Sequence, residues 1–238
     1  MAQIDKPNLH FNTVTYSNAG DGAKAVTGVG FQPDWVWLKN RSSAYHHQLF
    51  DAVRGATSGV LYSSTNSAVD TGYPLTSFDS DGFTTGSQSS NEGQNSASQV
   101  AWNWKANGAG SSNTDGDVTS TVSANTTARF SIVKWTGTGS GSIGVGHGLG
   151  VTPKIVIVKN LNGTLIDWHF YNTILDNSLD ILYLNTTGAK ADSGASLPTN
   201  SVFNTISVTN NANDYIAYCF AEKKGYSKFG SYSGNADA

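Results

Sequence analysis

Gly28-Val29-Gly30-Phe31-Gln32-Pro33-Asp34-Trp35-Val36-Trp37-Leu38-Lys39-Asn40 returns later in the chain as Gly148-Leu149-Gly150-Val151-Thr152-Pro153-Lys154-Ile155-Val156-Ile157-Val158-Lys159-Asn160. Both glycines, the proline, the central valine and the Lys-Asn end recur at an offset of 120 positions. Self-similarity at a fixed period decides architecture before any local pattern does. Each copy reads as a Gly-x-Gly turn, a proline, and a short strand of aromatic or β-branched residues.

The similarity extends outward on both sides. Phe11-Asn12-Thr13-Val14-Thr15-Tyr16 pairs with Phe130-Ser131-Ile132-Val133-Lys134-Trp135, and Val100-Ala101-Trp102-Asn103-Trp104 pairs with Ile216-Ala217-Tyr218-Cys219-Phe220. The order is the same in both halves. A third copy begins at Phe229-Gly230-Ser231-Tyr232. As a bare first strand it is expected to complete the second unit, as residues 130–135 would close the first.

No segment sustains a helical apolar period, and the apolar runs are short and bounded by Gly, Asn, Asp or Ser. The expected fold is all-β, with two tandem β-sandwich repeats of jelly-roll or lectin-like kind. The boundaries are an N-terminal arm over 1–10, a first unit over 11–106, a Gly/Ser/Thr-rich linker over 107–128, and a second unit over 129–238. Val118 and Val122 offer the linker a short edge strand.

Composition narrows function. Charged residues make up 13% of the chain, about half the usual share. The net charge is −3 with no basic cluster, which argues against nucleic acid as a partner. No apolar run approaches membrane-spanning length, so no membrane partner is expected, and the first residues lack the apolar core of a signal peptide. Cys219 is the single cysteine, so no intrachain disulfide forms; it reads as a small buried hydrophobe of a chain that folds in a cytoplasm.

Catalytic chemistry finds little to use. Glu92 and Glu222 are the only glutamates, whereas glycosidases need a close carboxylate pair. Most aspartates sit in turn contexts such as Asp21-Gly22, Asp81-Gly82 and Asp115-Gly116-Asp117, where the side chain bonds its own backbone. Asp79-Ser80-Asp81-Gly82 lacks the later ligands of a calcium loop and reads as a hairpin turn. His46 and His47 are adjacent and in a strand would face opposite sides, and His147 and His169 lack ligands at zinc spacing. No catalytic residue, metal site or cofactor is expected.

The tryptophans allow two readings. Trp35 with Trp37, and Trp102 with Trp104, each share a strand face; exposed, they would stack on sugar rings. Their replacement in the second unit by Ile155, Ile157, Tyr218 and Phe220 favours a core role, with Val100, Trp102 and Trp104 inward and Ala101, Asn103 and Lys105 outward. Tyr45, His46, Tyr73 and Trp168, nearer loops, are the ligand-binding candidates.

Four phrases carry a resemblance: residues 31–41 (Phe31 to Arg41), Leu49-Phe50-Asp51-Ala52-Val53-Arg54-Gly55, residues 75–83 (Leu75 to Phe83), and Val100-Ala101-Trp102-Asn103-Trp104-Lys105-Ala106. Together with Tyr215 to Glu222 and the following Gly225 to Tyr232, they resemble a repeat module of virion structural and tail-fibre proteins of tailed bacteriophages, abundant in marine and cyanobacterial phages. The resemblance covers nearly the whole chain and brings no catalytic motif with it. It implies a non-enzymatic virion surface protein, assembled in the host bacterial cytoplasm and contacting the host surface as part of a tail or head fibre. Its implied partners are other virion proteins of tail or capsid and a host surface glycan, and its implied state a homotrimer, as in phage fibres. The arm over 1–10 would anchor it to the particle. A capsid decoration protein is the alternative, and a carbohydrate-active enzyme a minor one.

Overall fold

The computed structural model describes residues 3–17, 22–72, 75–86, 98–163 and 165–235. The first half carries β1 (Phe11–Ser17), β2 (Ala25–Val26), β3 (Trp35–Asn40), β4 (Gln48–Asp51), β5 (Leu61–Tyr62), β6 (Leu75–Asp79), β7 (Gly82–Thr85) and β8 (Ser98–Trp104). The second carries β9 (Ser111–Asn113), β10 (Ser120–Asn125), β11 (Phe130–Thr136), β12 (Gly144–Gly146), β13 (Ile155–Asn160), β14 (His169–Asn172), β15 (Asp180–Tyr183), β16 (Ala191–Asp192), β17 (Val202–Asn204) and β18 (Asp214–Phe220). Helix is limited, among the described residues, to single 3-10 turns such as Pro7–Leu9. The fold is all-β, and every sheet is antiparallel.

A five-stranded sheet has the order β1-β8-β3-β4-β5. Within the eight-stranded sheet, β16-β15-β14-β13-β18-β11-β10-β9, the run β11-β18-β13-β14-β15 has the same order in chain terms. Registers correspond as well: Trp35 opposite Trp104 and Asp51 in the first, Ile155 opposite Phe220 and Asn172 in the second. The quoted motif explains why. Gly28 and Gly30 both have φ +86° and Gly148 and Gly150 both +66°, backbone that L side chains rarely adopt. The strand then starts after the proline, which has no N–H for a ladder. Asn40 and Asn160 end it, their side-chain oxygens accepting the Ser42 and Asn162 amides at 2.8 and 2.9 Å.

Packing follows strand alternation. Val36, Leu38, Phe50 and Ala101 face β2-β7-β6, with Val26, Leu75 and Phe83. Trp35, Leu49 and Leu61, on the other face, pack against Phe130, Ile132, Ile155, Ile157, Ile216 and Tyr218 of the eight-stranded sheet. The far face of that sheet, with Val133, Trp135, Val156, Val158 and Cys219, packs against Val145 of β12 and Phe203 of β17. Three apolar layers thus separate four sheets. The units expected as separate sandwiches share their central layer, so residues of both halves form one core.

Three boundaries change. Residues 107–128, expected as a linker, supply β9 and β10, and Val122 is buried against Val133; small residues pack closely beside a sheet edge without needing large apolar groups. Within the arm over 1–10, Ile4 is buried and its N–H bonds Lys224 O at 3.1 Å, so the described part is held on its own chain. Phe229 to Asn235 forms no strand, and residues 130–136 pair with β18 and β10 of the second sheet rather than closing the first.

Candidate functional site, an aromatic trough

The face of the five-stranded sheet that meets the second sheet is only partly covered. Trp35 lies under the cover at 1% exposure, stacked on Tyr218 at 4.2 Å and tilted on Trp104 at 4.4 Å. One ladder step away, Trp37 stands opposite Trp102, and both are half-exposed. Phe11, Trp37, His47, Trp102 and Trp104 line a cavity of about 270 Å³. Phe11 and Trp104 also line a second cavity of about 320 Å³ at the seam between the sheets, walled by Ile155, Ile157, Phe170, Phe220, Tyr226, Ser227 and Phe229. The two form one trough.

This reverses the expected sense of β8. Gln99, Ala101 and Asn103 are buried, whereas Val100, Trp102 and Trp104 are half-exposed. The strand is covered on both faces, by β2-β7-β6 on one and by part of the eight-stranded sheet on the other. A sequence pattern assumes one buried face; here the smaller residues sit under the tighter cover.

Polar groups fix the aromatic ones. Trp37 Nε1–H donates to His47 Nδ1 at 2.8 Å, so neutral His47 carries its proton on Nε2. Burial, helped by the nearby Lys39 charge, lowers the His47 pKa. The His47 ring lies parallel to Trp102, 7° between planes and 6.5 Å between centroids. Thr13 and Thr15 are exposed on the Phe11 face of β1, opposite Trp102 and Val100. Lys39 shares that face, its Nζ donating to Asn40 O at 2.7 Å and Ser43 O at 3.3 Å. None of the residues lining the two cavities is acidic. The trough therefore offers apolar ring faces with hydroxyl, imidazole and ammonium groups along its rim.

The sequence candidates fall elsewhere. Trp168 is fully buried, its Nε1–H donating to Tyr62 O at 2.8 Å across the sheet interface; a loop-flanking position does not foretell that another sheet lies over it. His46 is exposed, bonds Ser64 Oγ at 2.8 Å and rests on Tyr62, away from its neighbour His47. Tyr45 is exposed at a turn and lines neither cavity. Tyr73 lies outside the described residues. The trough residues were visible only as paired tryptophans, and the pairing itself was the usable signal.

Asp81 and Asp117, expected to bond their own backbone, bond distant amides instead, Asp117 Oδ2 accepting the Gly144 amide at 2.7 Å. Asp81 accepts the amides of Gly28 and Gly30 at 3.0 and 2.6 Å, beside the β6-β7 hairpin. Cys219 is buried, and burial pushes its thiol up to about 12. Among the described residues no cluster of His, Cys, Asp and Glu is placed to hold a metal ion, and no helix is long and apolar enough to cross a membrane.

No curated relative and no solved structure matches the chain. A domain of unknown function, DUF7483, matches residues 6–238, and the chain belongs to that family.

Proposed function

We propose that this protein is a non-enzymatic surface component of a tailed-phage particle, of tail-fibre or head-fibre type, whose aromatic trough binds a host surface saccharide. The observation that carries the binding role is the partly covered row of Phe11, Trp37, Trp102 and Trp104 with His47 around one cavity. A small-molecule site is concave and mostly apolar with few placed polar groups. The axial C–H bonds of a pyranose form an apolar face that lies on an indole. Its equatorial hydroxyls then reach outward to groups such as Thr13, Thr15 and His47 Nε2. The particle context rests on the resemblance in residues 31–41, 49–55, 75–83 and 100–106.

The test is a saccharide array probed with the purified protein, followed by titration of any hit with tryptophan emission as readout. Binding lost in Trp102→Ala supports the reading; binding that survives Trp102→Ala and Trp37→Ala places the ligand elsewhere and overturns it. Immunogold labelling of intact particles tests the context. Label on fibres or tail tip agrees with host contact, and label spread over the head makes it a decoration protein.

A further inference from the structure

The two corresponding sheets differ at one edge. In the eight-stranded sheet the first strand of the unit, β11, is flanked by β18 on one side and β10 on the other. Among the described residues, its counterpart β1 in the five-stranded sheet pairs with β8 alone. Burial records the difference: six of seven β1 positions alternate between half-exposed and exposed from Asn12 onward, whereas five of seven in β11 are buried. Natural edge strands are guarded by charge, proline, bulges or shortness. Phe11-Asn12-Thr13-Val14-Thr15-Tyr16-Ser17 has no charge and no proline over its seven residues. Thr13 N–H takes the side-chain oxygen of its own neighbour Asn12 at 3.0 Å, a bond that a flanking strand would otherwise supply.

What fits such an edge is shown by β10, which pairs antiparallel with β11, Asn125 opposite Phe130 and Val122 opposite Val133. Its Thr121-Val122-Ser123-Ala124-Asn125 has a counterpart in Ser231-Tyr232-Ser233-Gly234-Asn235: hydroxyl, apolar, serine, small, asparagine. That segment forms no strand, is exposed throughout, and presents Tyr232 at 94% exposure.

We propose that β1 accepts residues 230–235 of a second copy of this chain as an added antiparallel strand. In the register of β10 on β11, Asn235 lies beside Phe11 and Tyr232 beside Val14. Phe229 then falls beside Ser17, six residues and about 20 Å from Phe11. Within one chain, however, Phe229 and Phe11 line the same cavity. A chain's own segment starts at the wrong end of β1, so the donor belongs to a neighbour. Backbone bonds hold the strand and the Tyr232 side chain finds apolar cover beside Val14, the usual division of labour in strand addition. Each copy has one donor and one acceptor, so the product is a closed ring or an open ladder. The added strand would run beside Thr13 and Thr15 at the rim of the trough, so the test reads association of the chain and not saccharide binding.

The test is sedimentation velocity of the full chain from micromolar to millimolar concentration. The expected result is mass rising above the 25.1 kDa of one chain, and returning to it in Tyr232→Asp and in Thr13→Pro. Proline at position 13 removes an N–H that β8 does not use, and edge strands tolerate it. Should Thr13→Pro fail to fold, removal of residues 230–238 tests the donor alone. A single-chain mass at every concentration overturns the proposal, and so does association that persists in a folded variant.

Discussion

Tyr218 Oη, on β18 of the eight-stranded sheet, donates to Asp51 Oδ2, on β4 of the five-stranded sheet, at 2.9 Å. The same oxygen accepts Arg54 Nε–H at 2.6 Å, and Arg54 goes on to Leu49 O and Gly59 O. All three side chains are buried. Burial, with the Asp51 charge adding to it, pushes the Tyr218 hydroxyl well above its ordinary range. This polar chain crosses a largely apolar interface and pins one half of the molecule to the other.

Tyr218→Phe removes one hydrogen bond to a charged acceptor and is expected to cost about 1.5–3 kcal/mol. Asp51→Ala strands the buried Arg54 guanidinium and is expected to cost about 3–5 kcal/mol. Denaturant unfolding of both variants checks the order; an Asp51→Ala protein as stable as the parent would show that the pair contributes nothing net.

Residues 1–106 alone, or 129–238 alone, are expected not to fold cooperatively. Each would expose the side chains that meet in the shared layer, among them Trp35, Leu49, Phe130, Ile216 and Tyr218. Thermal melts of the two fragments by near-ultraviolet dichroism decide this. A sharp transition in either would mean that the halves are independent domains.

Trp35 and Trp102 separate core from trough. Trp35→Ala is expected to cost about 3–5 kcal/mol, as large-to-small core changes do. Trp102→Ala, at a partly buried position, is expected to cost less than Trp35→Ala while abolishing saccharide binding. Equal destabilisation by the two would place Trp102 in the core after all.

Stability is expected to fall as pH drops below 6.5. His47, His147 and His169 all have lowered pKa values, with burial the largest cause of each. Between their folded and unfolded pKa values the unfolded chain binds more protons, so acid favours unfolding. Protonation at His47 Nδ1 also breaks its bond from Trp37. Chemical denaturation at pH 7.5 and pH 5 measures the loss, and His47→Gln is expected to lessen it.

Lys159 gives the opposite limb. Its Nζ donates to Asn66 O and Ile166 O at 3.0 and 2.6 Å, buried where the two halves meet. Burial pulls its pKa down to about 8, against a smaller opposing pull from Asp167. The folded state loses this proton first, so from about pH 8 towards 10.5 the lysine's contribution to stability rises. Comparing the pH slope with that of Lys159→Met isolates this from tyrosine and cysteine ionisation. Identical slopes would show the ammonium to be solvated.

Strand positions were readable where aromatic and β-branched residues run together, as at Trp35–Asn40 and Asp214–Phe220. They were unreadable where strands are made of small polar residues. Ser111–Asn113 and Ser120–Asn125 look like linker because their ladders rest on backbone bonds rather than on apolar side chains. The trough was half readable: paired tryptophans marked it, but which pair is covered depends on how far the second sheet extends over the first.

The sequence alone determined the repeat, the β class and the turns, because these follow from local backbone rules. Gly28, Gly30, Gly148 and Gly150 take positive φ, proline precedes each strand, and asparagine ends it, whatever the surroundings. Only the tertiary structure decided that the two halves share a core and that Trp35 is buried while Trp37 and Trp102 are only partly covered. Those outcomes depend on the placement of one sheet over another. Alternation gives each strand two faces but does not say which of them a distant sheet will cover.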